Sequence, residues 1–237
     1  MSDKNVLFSS QRIKEETAGM WQDFYSELEP FSKVSGYFND FHSWVSDAWS
    51  ATEVGTSLQY IADLRNGVLR LTSGGSENDG TQLQLGGTGD SETTGESFAP
   101  AANKNLWFQT YIKSDDVTQH DLFFGLHVQD TAVIASLGAD YIGFMTDDGD
   151  ALLDVRSSAS SVISTEAGVH TLVNDIYVKL GFKVTGTTKI EFYVNDVLKS
   201  TLTTVPTGLM RLTMAHLTGD GSANSVDIDY IACFQDR

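Results

Sequence analysis

From Gly36 onward the apolar residues of this chain recur with a period of two, and that alternation limits the possible fold more than any other feature. Val178, Leu180, Phe182 and Val184 alternate with Tyr177, Lys179, Gly181 and Lys183. Ile190, Phe192 and Val194 alternate with Lys189, Glu191 and Asn195, and Leu122, Phe124, Leu126 and Val128 repeat the pattern, as do Met210, Leu212 and Met214. The closing run sets Val226, Ile228, Tyr230, Ala232 and Phe234 on one face, with Cys233 opposite. Side chains of a strand point alternately to its two faces, so each run has one face to bury. Arg65-Asn66-Gly67, Asp147-Asp148-Gly149-Asp150 and Val194-Asn195-Asp196-Val197 separate such runs with residues that tolerate positive φ, as tight hairpins require. About a dozen one-faced strands predict an all-β chain, a two-sheet antiparallel jelly-roll sandwich.

The first 35 residues read differently. Ile13, Thr17, Met20, Trp21, Phe24 and Leu28 recur at spacings of three and four, the stripe of an amphipathic helix. Ser9 or Ser10 caps its start, Pro30 stops it, and Gly19 weakens it. The chain therefore divides into residues 1–35, a short N-terminal α-helical arm, and residues 36–237, the sandwich. A helix this short is marginal alone, so Ile13, Met20, Trp21, Phe24 and Leu28 need an apolar partner: the sandwich itself, a symmetry mate or another protein. Residues 73–97 hold 7 of the 21 glycines and read as long polar loops around one short strand, Thr81–Leu85. Loops on a rigid sandwich are a common place for binding.

Charge and composition exclude several function classes. Fifteen basic and 32 acidic residues give a net charge of −17, which repels phosphate and argues against a nucleic-acid partner. One cysteine excludes an internal disulfide or a cysteine-based zinc site. No run approaches the ~20 apolar residues of a membrane helix, and the first residues lack the apolar core of a secretory signal. A cytoplasmic origin with no membrane association is expected. There is no Gly-x-Ser-x-Gly elbow, phosphate-binding loop or dinucleotide fingerprint. The five histidines show no metal-ligand spacing. Asp147, Asp148 and Asp150 place three carboxylates in four residues, a turn that suits calcium or is simply a hairpin. No other cofactor is expected.

Four segments resemble the concanavalin A-like lectin/glucanase jelly roll, with a laminin-G-like pattern. These are Tyr37-Phe38-Asn39-Asp40-Phe41 with Trp44 and Trp49; Leu122–Leu126 with Asp140–Phe144; Tyr177 through the Tyr193-Val194-Asn195-Asp196 hairpin; and Val226–Ile231 with Gln235 and Arg237. A free-standing domain of this kind with a polar arm and acidic balance is also similar to tailed-bacteriophage surface proteins. That likeness implies a non-enzymatic virion structural protein, a capsid decoration or fibre-type subunit displayed on the virion surface. The arm would dock on the major capsid protein or another virion protein, with homo-oligomers on the particle.

The lectin likeness implies an alternative, a carbohydrate-binding module with Trp107, Tyr111, Tyr177 and Tyr193 as the glycan or partner surface, since each lies opposite an apolar run. Where both faces of a strand are apolar, as at Phe123 and Phe124, a neighbouring subunit is an equal candidate for the second cover. A third reading is a jelly-roll glycoside hydrolase. Resembling glycanases carry Glu-x-Asp-x-Glu or Glu-x-Asp-x-x-Glu, and this chain has no such run. Its nearest approach is Asp227-x-Asp229, so no enzyme is expected.

Overall fold

A computed structural model describes residues 34–63, 65, 67–86, 98–132, 134 and 136–237. The expected helical stripe Ile13, Met20, Trp21, Phe24 and Leu28 lies outside the described residues, as do 87–97 of the glycine-rich stretch. In chain order the described strands are β1 Val34–Asn39, β2 Trp49–Val54, β3 Leu58–Asp63, β4 Val68–Thr72, β5 Gly80–Leu85, β6 Asn105–Ser114, β7 His120–His127, β8 Tyr141–Thr146, β9 Leu152–Ala159, β10 Val162–Thr171, β11 Val178–Thr185, β12 Lys189–Val194, β13 Val197–Leu202, β14 Arg211–Thr218 and β15 Ser225–Asp236. They form two antiparallel sheets stacked as a jelly-roll sandwich. Sheet A runs β13-β12-β11-β6-β15-β4-β3, with β1 pairing the far half of β15; sheet B runs β10-β9-β8-β7-β14-β5-β2.

The alternation expected of the sequence is what fills the space between the sheets. Leu180, Phe182 and Val184 of β11, Ile190, Phe192 and Val194 of β12, and Leu122, Phe124 and Leu126 of β7 all belong to one core. Phe144 of sheet B meets Phe192 of sheet A edge-on with ring centres 5.4 Å apart, and Phe182 packs on Phe108 at 4.8 Å. Each such ring contributes roughly 1.5–3 kcal/mol on leaving water. Asn195 and Asp196 take φ of 50° and 63°, as their two-residue hairpin requires. The short strand expected at Thr81–Leu85 is β5, a buried inner strand between β14 and β2.

The closing strand departs from the sequence reading. Its register with β6 shifts between Ile228 and Tyr230, a β-bulge that resets the alternation. Val226, Ile228, Ile231 and Cys233 therefore face the core, while Tyr230, Ala232 and Phe234 turn outward. Cys233 is a packed core residue, fully buried. Without the bulge Tyr230 would sit inside the sandwich, and the outer face described next would lose its central ring.

Candidate functional site

The outer face of sheet A carries a cleft of about 640 Å³ lined by Ala62, Asp63, Val68, Arg70, Tyr111, Lys113, Tyr177, Asp227 and Asp229. Strand register assembles it. Asp227 of β15 lies directly opposite Arg70 of β4 on one side and Lys113 of β6 on the other. Arg70 grips Asp227 with two bonds, Nε to Oδ1 at 2.5 Å and Nη2 to Oδ2 at 2.7 Å, and Lys113 Nζ stands 3.5 Å from Oδ2. Burying a carboxylate is costly, and two cations on the flanking strands compensate the buried Asp227. The bonds to Asp227 raise the Arg70 guanidinium above its ordinary range against the opposing effect of burial.

Aromatic rings continue the face. Tyr111 and Tyr177 pack with centroids 4.8 Å apart, Tyr230 follows Tyr111 at 6.2 Å, and Phe38 of β1 follows Tyr230 at 6.3 Å. Lys113 Nζ lies 5.4 Å from the Tyr177 ring centre, in cation–π range. Tyr230 donates its hydroxyl to Gln109 Oε1 at 2.7 Å, and Thr110 Oγ1 donates to the Tyr230 carbonyl at 2.9 Å, which pins the bulge. Burial, with Asp227 and Asp229 nearby, pushes the Tyr177 hydroxyl up to about 12. Burial and then Asp40 raise the Asp229 carboxyl. The site thus offers apolar ring surface beside tightly oriented charges, the means of holding a flat, hydroxyl-rich ligand.

Of the four aromatics expected from the sequence, Tyr111 and Tyr177 meet in this cleft. Trp107 does lie on the outer face but is fully buried, flanked in register by Lys183 and Phe234, so it presents no stacking surface. Tyr193 of β12 is half-buried, separated from β15 by β11 and β6, and sits opposite Gly181. The sequence reading missed Arg70, Lys113, Tyr230 and Phe38. A lone arginine amid the apolar run Val68–Leu71 was the one available signal.

The three aspartates of the turn look to different partners. Asp147 pairs with Arg156 at 2.7 Å, Asp150 accepts the Leu152 amide at 2.7 Å, and Asp148 donates its own amide to Asp121. Among the described residues no group of three or more His, Cys, Asp or Glu is arranged to hold a metal ion. The carboxylates of Asp147 and Asp150 are thus each engaged locally.

Over β5, β7, β8 and β14 the outer face of sheet B is covered by the chain itself. Gln84 donates to the Val128 carbonyl at 3.0 Å and accepts the Asp130 amide at 2.9 Å, and Gln82 donates to the Asp130 carbonyl. The loop between β7 and β8 thereby lies over Phe123, Tyr141, Met145 and Ala215, with Ile134 and Leu137 packed on them. The two-sided burial of β7 thus comes from the chain's own loop.

No protein-family model matches the chain, and no curated protein sequence matches it. The fold matches solved structures. A Bacillus licheniformis β-glucanase shares 14% identity over 83% of this chain and 96% of its own, with a TM-score of 0.58. The carbohydrate recognition domain of Emp47p shares 14% over 86% and 98%, with a TM-score of 0.57. A protein of unknown function from Shewanella oneidensis MR-1 shares 13% over 99% and 97%, with a TM-score of 0.59. The chain has the concanavalin A-like jelly-roll fold. Two of these neighbours are named as a glucanase and a carbohydrate recognition domain and the third has no assigned function, so none of the names supports a virion role. The expectation that the chain is not an enzyme is corrected: glucanases stand among the solved structures that share its fold.

Proposed function

We propose that this protein recognises carbohydrate through the outer face of sheet A. The observation that carries the reading is the Tyr111–Tyr177 ring pair set beside the Arg70–Asp227–Lys113 charge network in one cleft. Aromatic rings take the apolar face of a sugar, and fixed charges and hydroxyls orient its polar edge. The company of glucanases and a carbohydrate recognition domain in this fold supports it. The test is a glycan array followed by calorimetry with Tyr111→Ala and Tyr177→Ala. Both rings are half-buried, so truncation spares the core. Binding should fall at least tenfold in each; unchanged binding in both would remove the cleft from the reading.

A second reading, hydrolysis, is favoured by one observation. Asp227 and Asp229 line the same cleft in unlike settings, the first between two cations and the second with a raised carboxyl. Two carboxyls held in unlike surroundings can divide the roles of acid and base. Release of reducing ends from β-glucan that is lost in Asp229→Asn would establish it, and no release above buffer would set it aside.

A further inference from the structure

One part of the outer face of sheet A is buried although it belongs to neither packed cluster. Trp107 of β6 is 0% exposed, Ala232 of β15 4% and Val34 of β1 6%, and none of the three is part of the core between the sheets or of the cluster on sheet B. We propose that the N-terminal segment, residues 1–33, folds back over this patch, with its apolar stripe Ile13, Met20, Trp21, Phe24 and Leu28 laid on Trp107 and Phe234 as a third layer of the same molecule.

Register makes the buried residues one patch. Gly36 of β1, Phe234 of β15, Trp107 of β6 and Lys183 of β11 stand side by side in a row across four strands. Val34 and Ala232 share that face, one on each side of the row. Neighbours in such a row flank a side chain at about 5 Å but leave its top open. Lys183 and Phe234 are themselves only half-buried. The Phe234 ring lies over Gly36, where a Cβ would collide with it, so it leans toward β1 and away from Trp107. An indole is large enough that full burial is uncommon even in a core. On an outer sheet face it requires a cover from above. Tyr111, four residues further along the same face of β6, keeps part of its surface.

The chain itself supplies the occupant. The described residues begin at Val34, which stands at the β1 corner of the patch, so the segment before it starts from the place that is covered. As a helix the stripe from Ile13 to Leu28 would rise about 22 Å. The row from β1 to β11 is about 14 Å wide, and the residues from Leu28 to Val34 can reach ~20 Å. The stripe is therefore long enough to cross the row without straining its tether. A short amphipathic helix is stable only against an apolar surface, and a tether presents its own sandwich at a higher effective concentration than a separate molecule. Trp107 lies toward one end of β6, and Tyr111 and Lys113 of the cleft toward the other. Patch and cleft thus occupy different parts of the face, and this inference stands apart from the glycan reading.

The test is iodoacetamide labelling of the full chain. Cys233 is fully buried, so its silence reports a folded sandwich in every variant. Phe24→Cys and Met20→Cys each put a thiol in the stripe, and Ser26→Cys puts one on the opposite side of the expected helix. Both stripe thiols should react at least tenfold more slowly than Ser26→Cys, at a ratio independent of protein concentration. Adding Trp107→Ala should bring the stripe thiols to within threefold of Ser26→Cys. Phe234→Ala, at a half-buried position, takes its place if Trp107→Ala exposes Cys233. Equal rates for the stripe thiols and Ser26→Cys would overturn the proposal. Protection that grows with protein concentration would assign the patch to a second copy, and protection that survives substitution of the patch would place the segment elsewhere; either result overturns it as well.

Discussion

Asp227 is the residue on which the cleft is most dependent. It is 5% exposed and faces a guanidinium on one strand and an ammonium on another. Removing one partner of a buried pair is costly because the remaining charge is left uncompensated. The two ends of this network are unequal. Asp227→Ala strands two cations at once and should cost about 3 kcal/mol. Arg70→Leu leaves Lys113 beside the carboxylate, and Arg70 is itself one-third exposed, so the loss should be about 1 kcal/mol. Urea denaturation of the two variants measures the difference, and equal losses would mean that Lys113 does not compensate Asp227. The pairing of these three residues is not legible in the sequence, although Arg70 stands out in its apolar run and Asp227 in its Asp-x-Asp. Arg70, Lys113 and Asp227 are far apart in the chain, and only the order β4-β15-β6 makes them neighbours.

The hairpin joining β9 to β10 shows how a turn can form without the residues that announce one. Ser160 and Ser161 take φ of 51° and 67°, a left-handed conformation that costs L-residues roughly 1–2 kcal/mol each. The neighbouring loop holds them there: Asp140 Oδ1 accepts the Ser160 amide at 2.6 Å and the Ala139 carbonyl accepts the Ser161 amide at 2.9 Å. Replacing Ser160→Asn together with Ser161→Gly should relieve that strain and stabilise the protein by about 1 kcal/mol. A higher denaturation midpoint at an unchanged slope would confirm it; no change would mean the turn is unstrained. The Asn195-Asp196 hairpin, by contrast, was readable because its residues tolerate positive φ. The same division runs through the strands. The even alternation of β11 and β12 gave away their buried faces, whereas the bulge in β15 reverses the phase with no change in residue character. Periodicity alone therefore placed Tyr230 in the core. It likewise cannot distinguish Trp107, which is fully buried, from Tyr111, which is only half-buried, since both stand on the same face of β6.

Between the sheets the molecule carries a polar interior that governs its response to acid. His120 of β7 and His216 of β14 are fully buried and face each other with ring centres 6.4 Å apart. Ser114 Oγ lies 2.8 Å from His120 Nδ1, while Asn224 and Asp115 act on His216. Burial, reinforced by the neighbouring ring, lowers His120 to about 3, and burial lowers His216 to about 4. Both are therefore neutral in the folded state at pH values where the unfolded chain has begun to protonate them. Their contribution is fully present above about pH 6.5 and is lost as the pH falls toward 4 and below, because the unfolded state binds the protons first. Each histidine adds a slope of about 1.4 kcal/mol per pH unit once the unfolded form is protonated. Asp121 works in the opposite sense. Burial raises it to about 6 despite the Asp148 amide it accepts, so between about pH 6 and 4 the folded state binds its proton first and cancels part of the loss. Stability should consequently be flat near neutrality and, below about pH 6, fall by the excess of two histidine slopes over that of Asp121, about 1.4 kcal/mol per pH unit. Denaturant titrations at pH 7.5, 6, 5 and 4 in His216→Gln and in the parent protein separate the contributions. The variant should begin less stable and lose less on acidification, and parallel curves would show that His216 does not drive the acid response.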